Sequence, residues 1–286
     1  MPLAPDVDYP LSITEPREAM MKNVLLLVHD DDGQAARLQV ALDLVRAVEG
    51  HLTCLDVIVY PMLPGENDYG AVGILLEDEH DTETKNRATL EKRLALEGLP
   101  WNWVERTGSL AGCLTNAAAF ADLIVVNREL DGSLAPDMRR VAGDVLLDSG
   151  KPLLAVPQAV HSLNLGGHAF VAWDGSRASI DALRAAVPLL KLAARVTILE
   201  IEDGSVSVPG EEAATYLSRY GVIAELEPTR PQLTDAASEI LREIDHHKPD
   251  YLVMGGFGHS RLHEALLGGV TRRMLTECPI PLFLMH

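Results

Sequence analysis

Five glycines crowd into fifteen residues near the carboxy terminus: Gly255, Gly256 and Gly258, then, after nine residues, Gly268 and Gly269, with Val270 and Thr271 following. A glycine has no Cβ, so the main chain can turn sharply and its amides can approach a ligand closely. A glycine pair just before Val270 and Thr271 predicts a helix start, where unpaired N–H groups and the helix dipole attract phosphate. The Thr271 hydroxyl adds one hydrogen-bonding group. Asp174, which ends an apolar run earlier in the chain, offers a carboxylate that can accept from ribose hydroxyls. The segment is not the GxxxxGK[ST] phosphate loop, because no lysine follows the glycines, nor is it GxGxxG after the first strand of a unit. On residue types alone it reads either as a phosphate-binding loop or as a tight turn with close helix packing.

Other reactive residue types carry less. His259 and His263 are four apart and Glu264 follows, yet HExxH order and a third ligand at suitable spacing are missing. No metal site is expected, and His259 reads as a hydrogen-bond donor near the phosphates. Ser176 and Ser260 have no His–Asp partners in sequence, so no catalytic residue is assigned. Cys54, Cys113 and Cys278 lie far apart without CxxC spacing and read as free thiols in a reducing compartment. His246 and His247 close a helix, where dipole complementarity accounts for them.

These residues need strands and helices to position them, and an internal repeat supplies the plan. Val24–Val28 followed by His29-Asp30-Asp31-Asp32-Gly33 matches His168–Trp173 followed by Asp174-Gly175-Ser176. From there the copies align without a gap: Gly50–Leu55 faces Ala194–Leu199, and Asp30 faces Asp174. Ala121–Val126 answers Pro249–Met254, and Lys151–Val156 answers Ile280–Met285. The predicted class is α/β, with two tandem copies of an open five-stranded, mostly parallel sheet and helices on both faces. The strands are short unbroken apolar runs, as expected when both faces are covered. They are predicted near 23–28, 52–58, 102–106, 122–127 and 152–156, then 168–173, 195–201, 222–227, 250–255 and 280–285. Residues 1–21 read as a flexible extension, 22–157 as the first domain, 158–167 as a linker and 168–286 as the second domain. Tyr60 to about Glu79, with two prolines and three glycines, reads as an inserted surface loop or a lid.

Bulk properties narrow the partners. The 286 residues are 47% hydrophobic and 23% charged, ordinary for a globular protein with a core. A net charge of −18 argues against nucleic acid or an anionic membrane surface as a partner. No apolar run reaches the roughly 18–20 residues of a membrane span, and the amino terminus lacks signal-peptide features. A cytoplasmic location is expected.

The spacing Gly255-x2-Gly258-x9-Gly268 resembles the G-2x-G-9x-G-[S/T] motif of the ATP-binding universal stress protein family. The Asp174-Gly175-Ser176 turn, the run Asp250–Met254 and the closing Cys278-Pro279-Ile280-Pro281 resemble that family as well. The likeness is strong over 168–286 and weak over 22–157. It implies a Rossmann-like fold of the adenine-nucleotide alpha-hydrolase type, with ATP, together with Mg2+, held in the carboxy-terminal domain. Ala172 and Ile201 would meet adenine through backbone groups, Asp174 the ribose or adenine, and Met254 the base. Gly255, Gly258, Gly268, Gly269, Val270 and Thr271 would surround the ribose and phosphates. Gly269 departs from the motif, standing where ATP binders of the family carry Ser or Thr, so weakened binding is expected. The resemblance further implies pairing of the two fifth strands as an intramolecular pseudo-dimer; a homodimer of tandem chains is expected on general grounds, since closed cyclic pairs are the commonest assembly.

The first copy lacks the motif. Val126, Asn127, Arg128, Glu129 and Leu130 stand opposite Met254–Gly258, and Arg139 and Arg140 opposite Gly268 and Gly269. Asp30 persists, but within an acidic run that would repel a triphosphate. Three functions follow: a nucleotide-binding stress or signalling module acting on an unidentified protein partner, a scaffold acting through protein contacts alone, or a slow ATPase.

Overall fold

Among the described residues, the alternation of apolar runs and amphipathic stretches is realised as nine elements in each half, apart from a short 3-10 turn. In the computed structural model, residues 21–59, 69–128, 136–201, 204, 206–230, 235–257 and 269–286 are described. The first half runs β1 (Asn23–Val28), α1 (Gln34–Val48), β2 (His51–Val59), α2 (Tyr69–Leu94), β3 (Trp101–Gly108), α3 (Leu110–Ala117), β4 (Leu123–Asn127), α4 (Met138–Ser149) and β5 (Leu153–Val156). The second runs β6 (His168–Trp173), α5 (Arg177–Leu190), β7 (Arg195–Ile201), α6 (Gly210–Ser218), β8 (Ala224–Thr229), α7 (Ala236–His247), β9 (Tyr251–Gly255), α8 (Gly269–Glu277) and β10 (Leu282–Met285). Every predicted strand is present, with ends displaced by at most two residues.

The strands form a single ten-stranded sheet in the order β3-β2-β1-β4-β5-β10-β9-β6-β7-β8. Pairing is parallel within each half, and β10 runs antiparallel to β5 with Phe283 opposite Leu154. The junction leaves neither fifth strand as an open edge.

Strand alternation sorts the side chains into two cores. Leu26, Val125, Leu154, Val171, Val253 and Phe283 face one layer, built from α1, α2, α5 and α6. Leu25, Ile124, Ala155, Phe170, Leu252 and Leu284 face the other, built from α3, α4, α7 and α8. Both cores run across the two halves, so buried apolar area, the dominant favourable term in folding, is shared.

Three segments differ from the sequence reading. α2 begins at Tyr69, inside the predicted loop, so only residues 60–68 of that stretch remain outside the described residues. Met21, assigned to the extension, is 5% exposed and packs in the first core; residues 1–20 lie outside the described residues. The predicted linker buries Leu163 and Leu165, and the Leu163 amide donates to Asp43 of α1 at 3.0 Å. No helix among the described residues is long and apolar enough to cross a membrane.

Candidate nucleotide crevice

In each half the connections diverge to opposite faces between the first and fourth strands, which leaves a crevice at their carboxyl ends. In the second half that is the gap between β6 and β9, where Ala172 and Met254 are cross-strand neighbours. Ile201 ends β7, and Asp174 follows β6 directly. Ala172, Ile201 and Met254 are 8%, 7% and 5% exposed and pack in the core shared with α7 and α8.

The turn after β6 is built tightly. An Asp174 carboxylate oxygen accepts the Ser176 amide at 2.9 Å, and the Ser176 hydroxyl caps α5 by accepting the Ser179 amide at 3.3 Å. Gly175 has φ +69°, and a Cβ there would stand 2.2 Å from the Val208 nitrogen. Ser207 clamps the turn by donating its amide to the Asp174 carbonyl and its hydroxyl to the Gly175 carbonyl. Asp174 is therefore fixed by its neighbours rather than swinging freely.

Gly255 is required by packing. A Cβ on it would lie 2.5 Å from the Ser179 nitrogen and 2.7 Å from the Ala178 carbonyl carbon, so the bare residue lets β9 touch the start of α5. Beyond it the chain turns through Phe257, whose φ is +59°. The Phe257 amide donates to the Thr271 hydroxyl at 3.2 Å, and Thr271 is 4% exposed. That hydroxyl is thus a tie between the loop and α8, a role that sequence reasoning did not foresee. Val270 packs on the second core, and Gly269 is exposed, so that a Cβ added to it would meet no described atom within 4 Å. Arg273 ties α8 to the start of α7, donating to Asp235 at 2.9 Å and to Ser238 at 2.5 Å. Gly258, His259 and Gly268, with His263 and Glu264, lie outside the described residues.

The corresponding crevice in the first half is filled. Arg37 of α1 is fully buried and reaches the end of β1, donating to both Asp31 carboxylate oxygens at 2.8 and 2.6 Å. It also donates to the carbonyls of Leu27 and His29. Asn127, the counterpart of Gly255, is 3% exposed and brings a side chain where the second half has none. Glu83 of α2 accepts from the His29 ring at 2.8 Å and from the Asp30 amide at 3.0 Å. The acidic run is therefore not bare charge, as the sequence reading had it, since Asp31 is neutralised by an arginine that lies six residues further on. Arg128 is likewise committed, donating to the carbonyls of Thr276 and Cys278 at the end of α8 at 3.1 and 2.5 Å. This cation at a helix carboxyl end links the two halves.

No described cysteine is poised as a nucleophile. Burial pushes the Cys54 thiol up to about 12 and the Cys278 thiol up to about 11.

The comparisons with known proteins agree with this architecture. Residues 167–286 match the model of the universal stress protein family. A universal stress protein of Synechocystis sp. is 23% identical over 293 residues, covering 91% of this chain and 98% of the relative. A universal stress protein from Archaeoglobus fulgidus superposes with a TM-score of 0.71 at 17% identity, covering 92% of this chain and 96% of the other. A Pseudomonas aeruginosa structure described as a universal stress protein gives 0.57 at 18% identity, with coverage of 94% and 95%. At such identities these superpositions speak to the fold, and the last two extend it over both halves. The family match is thus carried by residues 167–286, while the likeness of fold extends over both halves.

Proposed function

We propose that the second half binds an adenine nucleotide, ATP with Mg2+, and that occupancy alters a surface read by a protein partner in the cytoplasm. The observation that carries this reading is the contrast at the carboxyl edge of β6 and β9. Short or bare residues, Ala172, Gly255 and Gly269, stand there beside the start of α8, where the other half has a buried arginine and asparagine. Amides at a helix start favour phosphate whatever the net charge of the chain. The base would lie along Ala172, Ile201 and Met254, the ribose at Asp174, and the phosphates at Gly255, Gly258, Gly268, Gly269 and Val270, with His259 donating. Thr271 would act through the loop it ties down. A homodimer of tandem chains is the expected assembly.

Isothermal titration with MgATP tests the proposal. Saturable binding of one equivalent is expected, abolished in Gly258→Val and weakened in Asp174→Ala, with far-UV circular dichroism unchanged. Absence of binding to the wild-type chain would overturn it.

A second reading has its own support. Gly255 is explained by the approach of α5, and Thr271 by its bond to Phe257, without any ligand. In that case the chain is a scaffold acting through protein contacts, and MgATP produces no thermal shift.

A further inference from the structure

Glu227 of β8 and Glu243 and His247 of α7 place their ligand-type atoms within 4.8 Å of one another. His247 Nε2 stands 3.1 Å from Glu227 Oε1 and 3.4 Å from Glu243 Oε2. Glu243 and His247 are four apart on α7 and so share one face of the helix. We propose that these three side chains form a binding site for a divalent transition metal ion, Zn2+ in the first instance, on the flank of the second half. The site is independent of the nucleotide proposal. α7 starts beside Arg273 near the crevice, whereas His247, in its last turn, lies against His168, the first residue of β6.

The geometry separates a metal from a proton. Nε2 carries at most one hydrogen, so a protonated ring can satisfy only one of the two carboxylates converging on it. A metal bonded to nitrogen and oxygen at about 2.0–2.2 Å with tetrahedral angles holds its ligands roughly 3.4 Å apart, close to both separations, and satisfies all three. The ring is already oriented, 5.4 Å from Phe170 and 6.4 Å from His168 between centroids. The Glu243 carboxylate is 6% exposed, and Arg242, half-exposed, pairs with its other oxygen and with Glu239, also buried. Glu227, 34% exposed on the edge strand, leaves a path from solvent. A water would complete the fourth position, as in open zinc sites.

The test is titration of metal-free full-length protein with ZnCl2 at pH 7.5, followed by competition with a chromophoric chelator. Expected is one saturable equivalent whose affinity falls about tenfold or more in His247→Gln and in Glu227→Gln. His259→Gln/His263→Gln should leave that affinity unchanged, and the Zn2+-dependent rise in Tm should vanish in His247→Gln. Should His247→Gln fail to fold by circular dichroism, Glu227→Gln, on the exposed edge, decides the matter. No saturable binding, undiminished affinity in Glu227→Gln, or loss in the His259/His263 variant would overturn the assignment.

Discussion

Two crevices of one topology have been completed in opposite ways. At the end of β1, long charged side chains meet: Arg37 embraces Asp31, and Glu83 takes His29 and the Asp30 amide. At the ends of β6 and β9 the second half has instead a short Asx turn, a serine cap and a glycine pressed against a helix. One buried cation on the first helix fills the first crevice, because its partners must then be satisfied internally.

The sharpest way to break this comparison is at Arg37. Arg37→Met strands the Asp31 carboxylate in a buried setting and should cost about 3–5 kcal/mol in urea unfolding. Its counterpart Asp181 pairs with a largely exposed Arg177, so Asp181→Ala should cost no more than about 0.5 kcal/mol. Equal costs would mean that the first crevice is not held by its ion pair.

A second contrast lies one strand over. Glu200 of β7 accepts the Gly210 amide at 2.6 Å, whereas its counterpart Asp56 is 2% exposed and has an oxygen with no partner among the described residues. Burial, then Glu83 and Glu105, raise Asp56 to about 7, opposed by His29 and Arg87. Since the folded-state value exceeds the unfolded one, its stabilising effect is complete below about pH 4 and fades as pH rises through 7. The stability of Asp56→Asn relative to wild type should thus grow by on the order of 4 kcal/mol between pH 4 and pH 8. Parallel pH profiles would contradict the assignment.

Smaller effects sharpen the second crevice. Gly255→Ala must push apart β9 and α5 and should lose about 1–3 kcal/mol. A Cβ on Gly256 meets nothing closer than 3.6 Å, so Gly256→Ala should stay within about 0.5 kcal/mol. Gly269→Ser restores the hydroxyl of the family motif and should tighten MgATP binding by roughly two- to tenfold, one neutral hydrogen bond.

How much of this could be read from the residues follows from the range of each signal. Strands buried on both faces, such as β1, β4 and β9, appear as unbroken apolar runs, whereas the edge strands β3 and β8 are half-exposed and carry charged residues such as Glu105 and Glu225. The start of α2 was hidden because Gly70 and Gly73 read as loop punctuation, yet both lie within its first turns. Nothing local in the sequence marks Arg37 as buried; only the sheet brings it to the end of β1. Glu243 and His247 show the spacing of a shared helix face, but Glu227 joins them through the pairing of β7 with β8. Gly255 and Thr271 were legible as residues of consequence, while their contacts with α5 and Phe257 depend on packing that no local pattern encodes.

Photolabelling with 8-azido-ATP, followed by peptide mapping, tests most directly the claim that nucleotide binds in the second crevice alone. The account predicts that label falls within residues 168–286, on peptides from the ends of β6, β7 or β9, and is displaced by ATP. Displaceable label within residues 22–157, or none anywhere, would contradict it.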